Sequence, residues 1–314
     1  MATAATSAGT APGAYALGAK PRRLGEKVVK GVLVAATLVS VLTTFGIVIS
    51  LLTETVRFFE DVPLKEFFFG TEWAPLFADP SFGVLPLVTG TLLVTAISLV
   101  VAIPLGLGAA IYLSEYATPR VRSILKPALE LLAGIPTIVF GYFALTWFTP
   151  IILNDILGLN VPVFNALSAG IVMGFMVVPT IASISEDAMS AVPAALREGA
   201  YGLGANKRQV STKVVFPAAL SGIVAAVVLG ISRAIGETMI VLVAAGQVPN
   251  LTGDPRQSVE TMTTFIAASA KGDLPTGSTG YKTIFAVGMT LFVLTLVMNA
   301  ISIRFVRRFR QVYD

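Results

Sequence analysis

Two charges in an otherwise apolar stretch are the residues of this chain best placed to do chemistry. Arg233 and Glu237 lie within AAVVLGISRAIGETMIVLVAAG. Ionisable side chains inside a membrane-length apolar run are costly and mark substrate or ion pathways. Four residues apart, they fall on one face of a helix and can pair. A guanidinium offers a planar fork of donors and does not deprotonate, which suits a multidentate oxyanion. Glu237 then holds Arg233 in place, or keeps the site from gripping an anion that must also leave. The competing reading is an ion pair that staples a helix and touches no substrate. Arg233 stands 16 residues beyond Pro217, roughly 24 Å along a straight helix, and Glu237 roughly 6 Å further.

The second informative stretch is polar and basic: PAALREGAYGLGANKRQVSTKVVFP, from Pro193 to Pro217. Ala194 to Tyr201 reads as a short helix and Ala205 to Lys213 as another. Gly202 and Gly204 supply the break, because glycine accepts the backbone angles of a turn. Small residues (Gly199, Ala200, Gly204) permit close approach, Tyr201 can enter a partner's groove, and Glu198 can pair with a basic residue. A plain solvated loop is the alternative. Phe216-Pro217 is expected to open the next apolar segment. Glu130, close to Lys126, reads as an interfacial residue whose stem lies along apolar surface.

Other chemistry is excluded by composition. The chain has no Cys and no His, which removes disulfides, thiolate nucleophiles, Cys/His metal sites and imidazole acid–base catalysis. No catalytic set and no metal site are expected, and the phosphate-cradling pattern G-x-x-x-x-G-K-[ST] is absent. A net charge of +4 reports basic loops beside a membrane rather than nucleic-acid binding.

The elements that must position these residues are membrane spans. The chain is 55% hydrophobic and 13% charged, against about a quarter charged in soluble domains. About 20 apolar residues cross a bilayer as a helix. Six segments qualify: Gly31 to Leu52; between Asp79 and Glu115; between Lys126 and Asp155; between Asp155 and Glu186; the segment after Lys213; and Thr283 to Ile303. The fold expected is all-α and polytopic. Sixteen Lys and Arg lie in the N-terminus, 116–126, 187–213 and the C-terminus, against five in 53–81, 154–164 and 247–282. The basic side faces the cytoplasm, so both termini are expected there, with Arg233 and Glu237 in the outer half of the membrane. Residues 1–27 are expected to be a disordered cytoplasmic tail, with a permease domain over 28–314. The long loop 53–81, with Phe58, Phe59, Phe67, Phe68, Phe69 and Trp73, is expected at the membrane interface. Pro104, Pro136 and Pro179 are expected to kink spans, and Gly170, Gly174, Gly106 and Gly108 to line close helix crossings.

The loop 187–213 and its flank resemble a family signature. Permease subunits of ABC importers carry E-A-A, three residues, G, nine residues, then I-x-L-P. Here it stands as Glu198-Gly199-Ala200, three residues, Gly204, nine residues, and Val214-Val215-Phe216-Pro217. Gly replaces the first Ala, Val the Ile and Phe the Leu. The phrases GTEWAP, FGVLPLVTGTLLVT, YLSEYATPRVRSILKPALELLAGIPTIVFGYFAL and SRAIGETM are similar to PstC-type permeases of phosphate importers. The resemblance implies a type I importer bundle of the MetI-like kind in a bacterial plasma membrane. It implies docking of an ATPase through Glu198, Gly199, Ala200, Tyr201, Gly204 and Pro217, and a transport role for Arg233 and Glu237. The implied partners are a PstA-like second permease, a PstB-like ATPase dimer holding ATP and Mg, and a PstS-like phosphate-binding protein. Alternatives within the class are the sister PstA permease and a sulfate or molybdate importer. A channel or ion-coupled carrier would show inverted repeats or several intramembrane carboxylates.

Overall fold

A computed structural model of the chain describes residues 24–272 and 274–309. The expected tail lies outside the described residues up to position 23. The chain divides into two compact units, 1–50 and 51–314. In the first, residues from Leu24 onward form the start of helix α1 (Leu24–Asp61). Its apolar side chains, from Val28 and Leu33 to Phe45 and Ile49, are exposed, which is tolerable for a helix whose solvent is lipid.

The second unit is a helical bundle. After the last turns of α1 come α2 (Leu64–Phe69), a two-strand hairpin of β1 (Trp73–Ala74) and β2 (Ser81–Phe82), and α3 (Leu85–Ile111). Helix α3 runs on through a π-helical turn to Tyr116. Then follow α4 (Pro119–Ala133), α5 (Thr137–Phe143, extended by π-helical turns to Ile156) and α6 (Ala166–Ser190). The short α7 (Ala194–Gly202) and α8 (Lys207–Val210) are followed by a π turn and α9 (Phe216–Ala218). Last come α10 (Leu220–Ile235), α11 (Met239–Ala244), α12 (Met262–Ala270) and α13 (Thr279–Phe309). Among the described residues five helices are long and apolar enough to span a membrane, and the count is six if the bent pair Lys207–Ala218 plus Leu220–Ile235 is taken as one span.

The central core is the crossing of α3 and α6. Gly170 and Gly174 lie against Ile97 and Val101, and Gly106 against Ile181, so close that an added Cβ would sit 2.7–2.9 Å from those Cβ atoms. These three glycines do what their spacing implies; Gly108 has nothing within 4 Å of such a Cβ and plays no such part. Around this crossing Val94, Ala169, Met173, Met176, Val177 and Ile240 close an apolar core.

Several sequence expectations need correction. The third span does not begin near Lys126. Gly134-Ile135-Pro136 breaks the helix, so α4 is a separate amphipathic helix and the span covers Thr137–Ile156. Its apolar residues are spaced for one face only, which a hydropathy count over the whole segment conceals. Pro136 accordingly precedes a helix instead of kinking one, whereas Pro104 and Pro179 are inside α3 and α6. Phe58, Phe67 and Trp73 are buried with Phe82 and Phe265 as a packed aromatic cluster, with Trp73 and Phe265 edge to face at 4.9 Å. The loop therefore builds its own small core, and Phe69 is left outside it. Its two ends are pinned where Gly70 meets Gly83, a contact that leaves no space for a Cβ on either.

Candidate functional site

The elbow between α6 and α10 is a helix–turn–helix, as its residues imply. Pro193 leads into α7, and the chain reverses through Leu203 and Gly204, whose φ of +82° is left-handed. Asn206 starts α8 with a capping box: its side chain accepts from the Gln209 N–H at 2.9 Å, and Gln209 accepts from the Asn206 N–H at 2.9 Å. Glu198, Gly199, Tyr201 and Gly204 face outward, while Ala200 turns inward against Val210, Val215 and Ala219. The rod from Lys207 continues through Pro217 to Ala218 and then bends by 72° into α10. Pro217 therefore belongs to the elbow and does not open a straight span.

Two residues of the elbow escaped the sequence reading. Leu203 at its tip is 91% exposed, an apolar side chain offered to whatever covers the turn. Arg197 anchors the elbow from beneath. It donates to the carbonyls of Val192 at 2.5 Å and Met189 at 2.8 Å, and pairs with Glu115 at 3.2 Å. A lone arginine in a short helix was the available signal, but its ion-pair partner Glu115 is 82 residues away in sequence.

Beside the elbow lies an ion cluster. The fully buried Glu186, near the end of α6, takes Arg122 on one oxygen and Lys126 on the other, the latter at 2.7 Å. Lys126 also reaches Asp187 at 2.7 Å. Hydrogen bonds to Asp187 and Glu186 hold the Lys126 ammonium above its ordinary pKa. A buried carboxylate needs such compensation, and this one fastens α4 to α6. Glu130 is exposed on α4, in a cavity it lines with Arg122 and Lys126.

Arg233 and Glu237 are not paired. Helix α10 ends at Ile235 and Gly236 caps it, so the face the two were expected to share does not exist. Among the described residues no ion pair joins them. Arg233 points its Nε at the buried Met176 sulfur, 3.1 Å away. Glu237 instead starts the next helix, its Oε1 accepting from the N–H groups of Met239 at 3.0 Å and Ile240 at 3.2 Å. Its backbone carbonyl accepts from Thr263 Oγ1 at 2.8 Å, tying the break to α12. The 72° bend before α10 likewise removes the straight 24 Å climb expected from Pro217.

An apolar bundle, a rigid polar elbow and a span broken beside an arginine define a membrane-embedded transport subunit, and comparison with known proteins places it. The chain belongs to the family of binding-protein-dependent transport system inner membrane components, whose model matches residues 102–311. Among curated proteins it is 36% identical over 279 residues to the probable ABC transporter permease protein YqgH of Bacillus subtilis, covering 88% of this chain and 89% of that one. It is 39% identical over 249 residues to the phosphate transport system permease protein PstC 1 of Mycobacterium tuberculosis, covering 72% and 73%. Its fold resembles a chain of a bacterial ABC transporter for alginate, with a TM-score of 0.63, 17% identity, and 92% and 100% of the two chains covered. The chain is thus a permease subunit of that family, a transporter component.

Proposed function

We propose that this chain is the membrane subunit of an ATP-driven phosphate importer, forming half of the pathway beside a second, PstA-like permease. The elbow carries the reading. It is a short, capped, outward-facing helix pair whose Glu198, Tyr201 and Leu203 are exposed while Arg197 fixes it to the ends of α3 and α6. A free loop would bend under load; a bonded elbow transmits it. Its partner is an ATPase dimer, which binds Mg and ATP and drives the cycle. Relatives named for phosphate transport support the cargo. The excess of basic residues on the elbow's side supports cytoplasmic termini and a cytoplasmic elbow. A phosphate-binding protein delivers the anion from outside.

Arg233 serves the anion. Among the described residues only its Nε is engaged, by a weak thioether acceptor, and such a guanidinium beside a helix break suits a transient phosphate contact better than a stapled ion pair would. Glu237 shapes the break by capping α11. Substituting Glu198→Arg in the assembled transporter tests the docking role: ATP hydrolysis becomes uncoupled from phosphate uptake while the chain still inserts. Normal uptake by that variant would remove the elbow from the mechanism.

A further inference from the structure

A cavity of about 270 Å³ opens between the hairpin loop and the segment around α12. It is lined by Trp73, Leu76, Phe77, Glu260, Phe265 and Ser269, among others. Glu260 is the only ionisable group among the described residues of its wall. It is 6% exposed, yet no hydrogen bond or ion pair reaches its carboxylate among the described residues. Burial alone pushes its pKa up to about 7. The backbone cannot swing away, because α3 packs Gly90 against the Glu260 carbonyl with no space for a Cβ. Among the described residues no neighbouring charge answers it. Asp254 and Arg256 are paired with each other at 3.0 Å, and Lys282 with Asp61 at 2.7 Å. Glu72, Asp79 and Lys271 do not line the cavity, and α3 carries no charge from Leu85 to Ile111.

An uncompensated buried carboxylate in a mostly apolar pocket, whose other polar side chains, Gln247 and Ser269, are uncharged, is a site awaiting a cation. We propose that this cavity is a socket for one lysine side chain of a protein that docks on this face, with Glu260 as the counter-ion. An alkylammonium fits better than a guanidinium. Its four-carbon stem covers apolar walls, and its compact head asks for fewer acceptors than the five donors of an arginine. A protein is the fitting source because the rim mixes exposed apolar side chains, Leu76 at 57% and Phe77 at 75%, with the exposed polar Gln247, a surface that a docking partner would cover. That this face is the outer one rests on the orientation proposed above; binding itself does not, and is measured without transport.

The chain has two tryptophans, so in Trp147→Phe the emission reports on Trp73, in the socket wall. The full-length variant in lipid nanodiscs is titrated with n-butylammonium, with Nα-acetyl-lysine methylamide, and with n-butanol as the uncharged control. Both amines are expected to shift the emission saturably and butanol not. Because about a tenth of Glu260 is ionised at pH 6 and about nine-tenths at pH 8, both should bind roughly ten-fold more tightly at pH 8. Glu260→Gln should abolish the response and the pH dependence. Ala268→Leu, which fills the cavity and leaves the carboxylate, should weaken binding by at least about ten-fold. The proposal is overturned by no response, by equal affinity in Glu260→Gln, or by affinity independent of pH. Binding of butylammonium without the lysine derivative would also overturn it, by assigning the socket to free amines.

Discussion

At the scale of single residues, three charges carry distinct burdens. Arg233 is exposed and, among the described residues, engaged only through Nε on the Met176 sulfur, so its loss removes little packing. Arg233→Gln should lower ATP-dependent phosphate uptake at least ten-fold in proteoliposomes while the complex still assembles; unchanged uptake would remove the side chain from the pathway. Glu186 is structural, and the cost of breaking its cluster depends on which partner remains. Glu186→Gln leaves Arg122 and Lys126, both able to reach water, and should cost about 1–3 kcal/mol. The double substitution Arg122→Met with Lys126→Met leaves a fully buried carboxylate with the Ser190 hydroxyl at 2.9 Å but no cation, and should cost about 3–5 kcal/mol. Thermal unfolding in detergent should therefore rank the double variant below the single one. Glu260 shifts the pH profile. Its carboxyl titrates near 7 in the folded chain against 4.5 for an ordinary glutamate. The folded state thus holds the proton longer, and stability falls as pH rises from about 4.5 through 7. Glu260→Gln should flatten that slope, raising the apparent Tm at pH 8 and leaving it nearly unchanged at pH 4.

At the scale of elements, the sequence was most legible where one local pattern sufficed. The elbow could be read from its glycines and the spacing of Glu198, Gly204 and Pro217, and the glycines of the α3–α6 crossing from their four-residue interval. Gly174 meets the Ser98 carbonyl as well as Val101, so Gly174→Leu should cost several kcal/mol and abolish folded yield in membranes, whereas Gly108→Leu, facing open space, should be tolerated. Immunodetection and size-exclusion profiles of the two variants distinguish them. Helix breaks were the illegible part. Hydropathy sees Lys126–Asp155 as one span and Leu220–Ala244 as one rod, because averaging hides a Gly-Ile-Pro or a single Gly236 between apolar runs. The pairing of Arg233 with Glu237 failed for that reason, since helix periodicity applies only while the helix continues. Arg197 and Glu186 escaped because their partners, Glu115, Arg122 and Lys126, are more than 50 residues away. Spacing along one element cannot report contacts across the fold.

At the scale of the whole molecule, the fold assigns its two polar investments to different tasks. One is the elbow with its anchoring pairs, a stiff handle on one side of the bundle. The other is a span broken at Gly236, which frees Arg233 from a carboxylate partner. In the function proposed above, the drive comes from a partner ATPase and enters through the handle. The most direct measurement is phosphate uptake into proteoliposomes holding this chain with its second permease, its ATPase and its binding protein, with and without Mg-ATP on the elbow's side. Uptake that requires Mg-ATP and is lost in Glu198→Arg is the predicted result. Phosphate accumulation by this chain without nucleotide or ATPase would contradict the account.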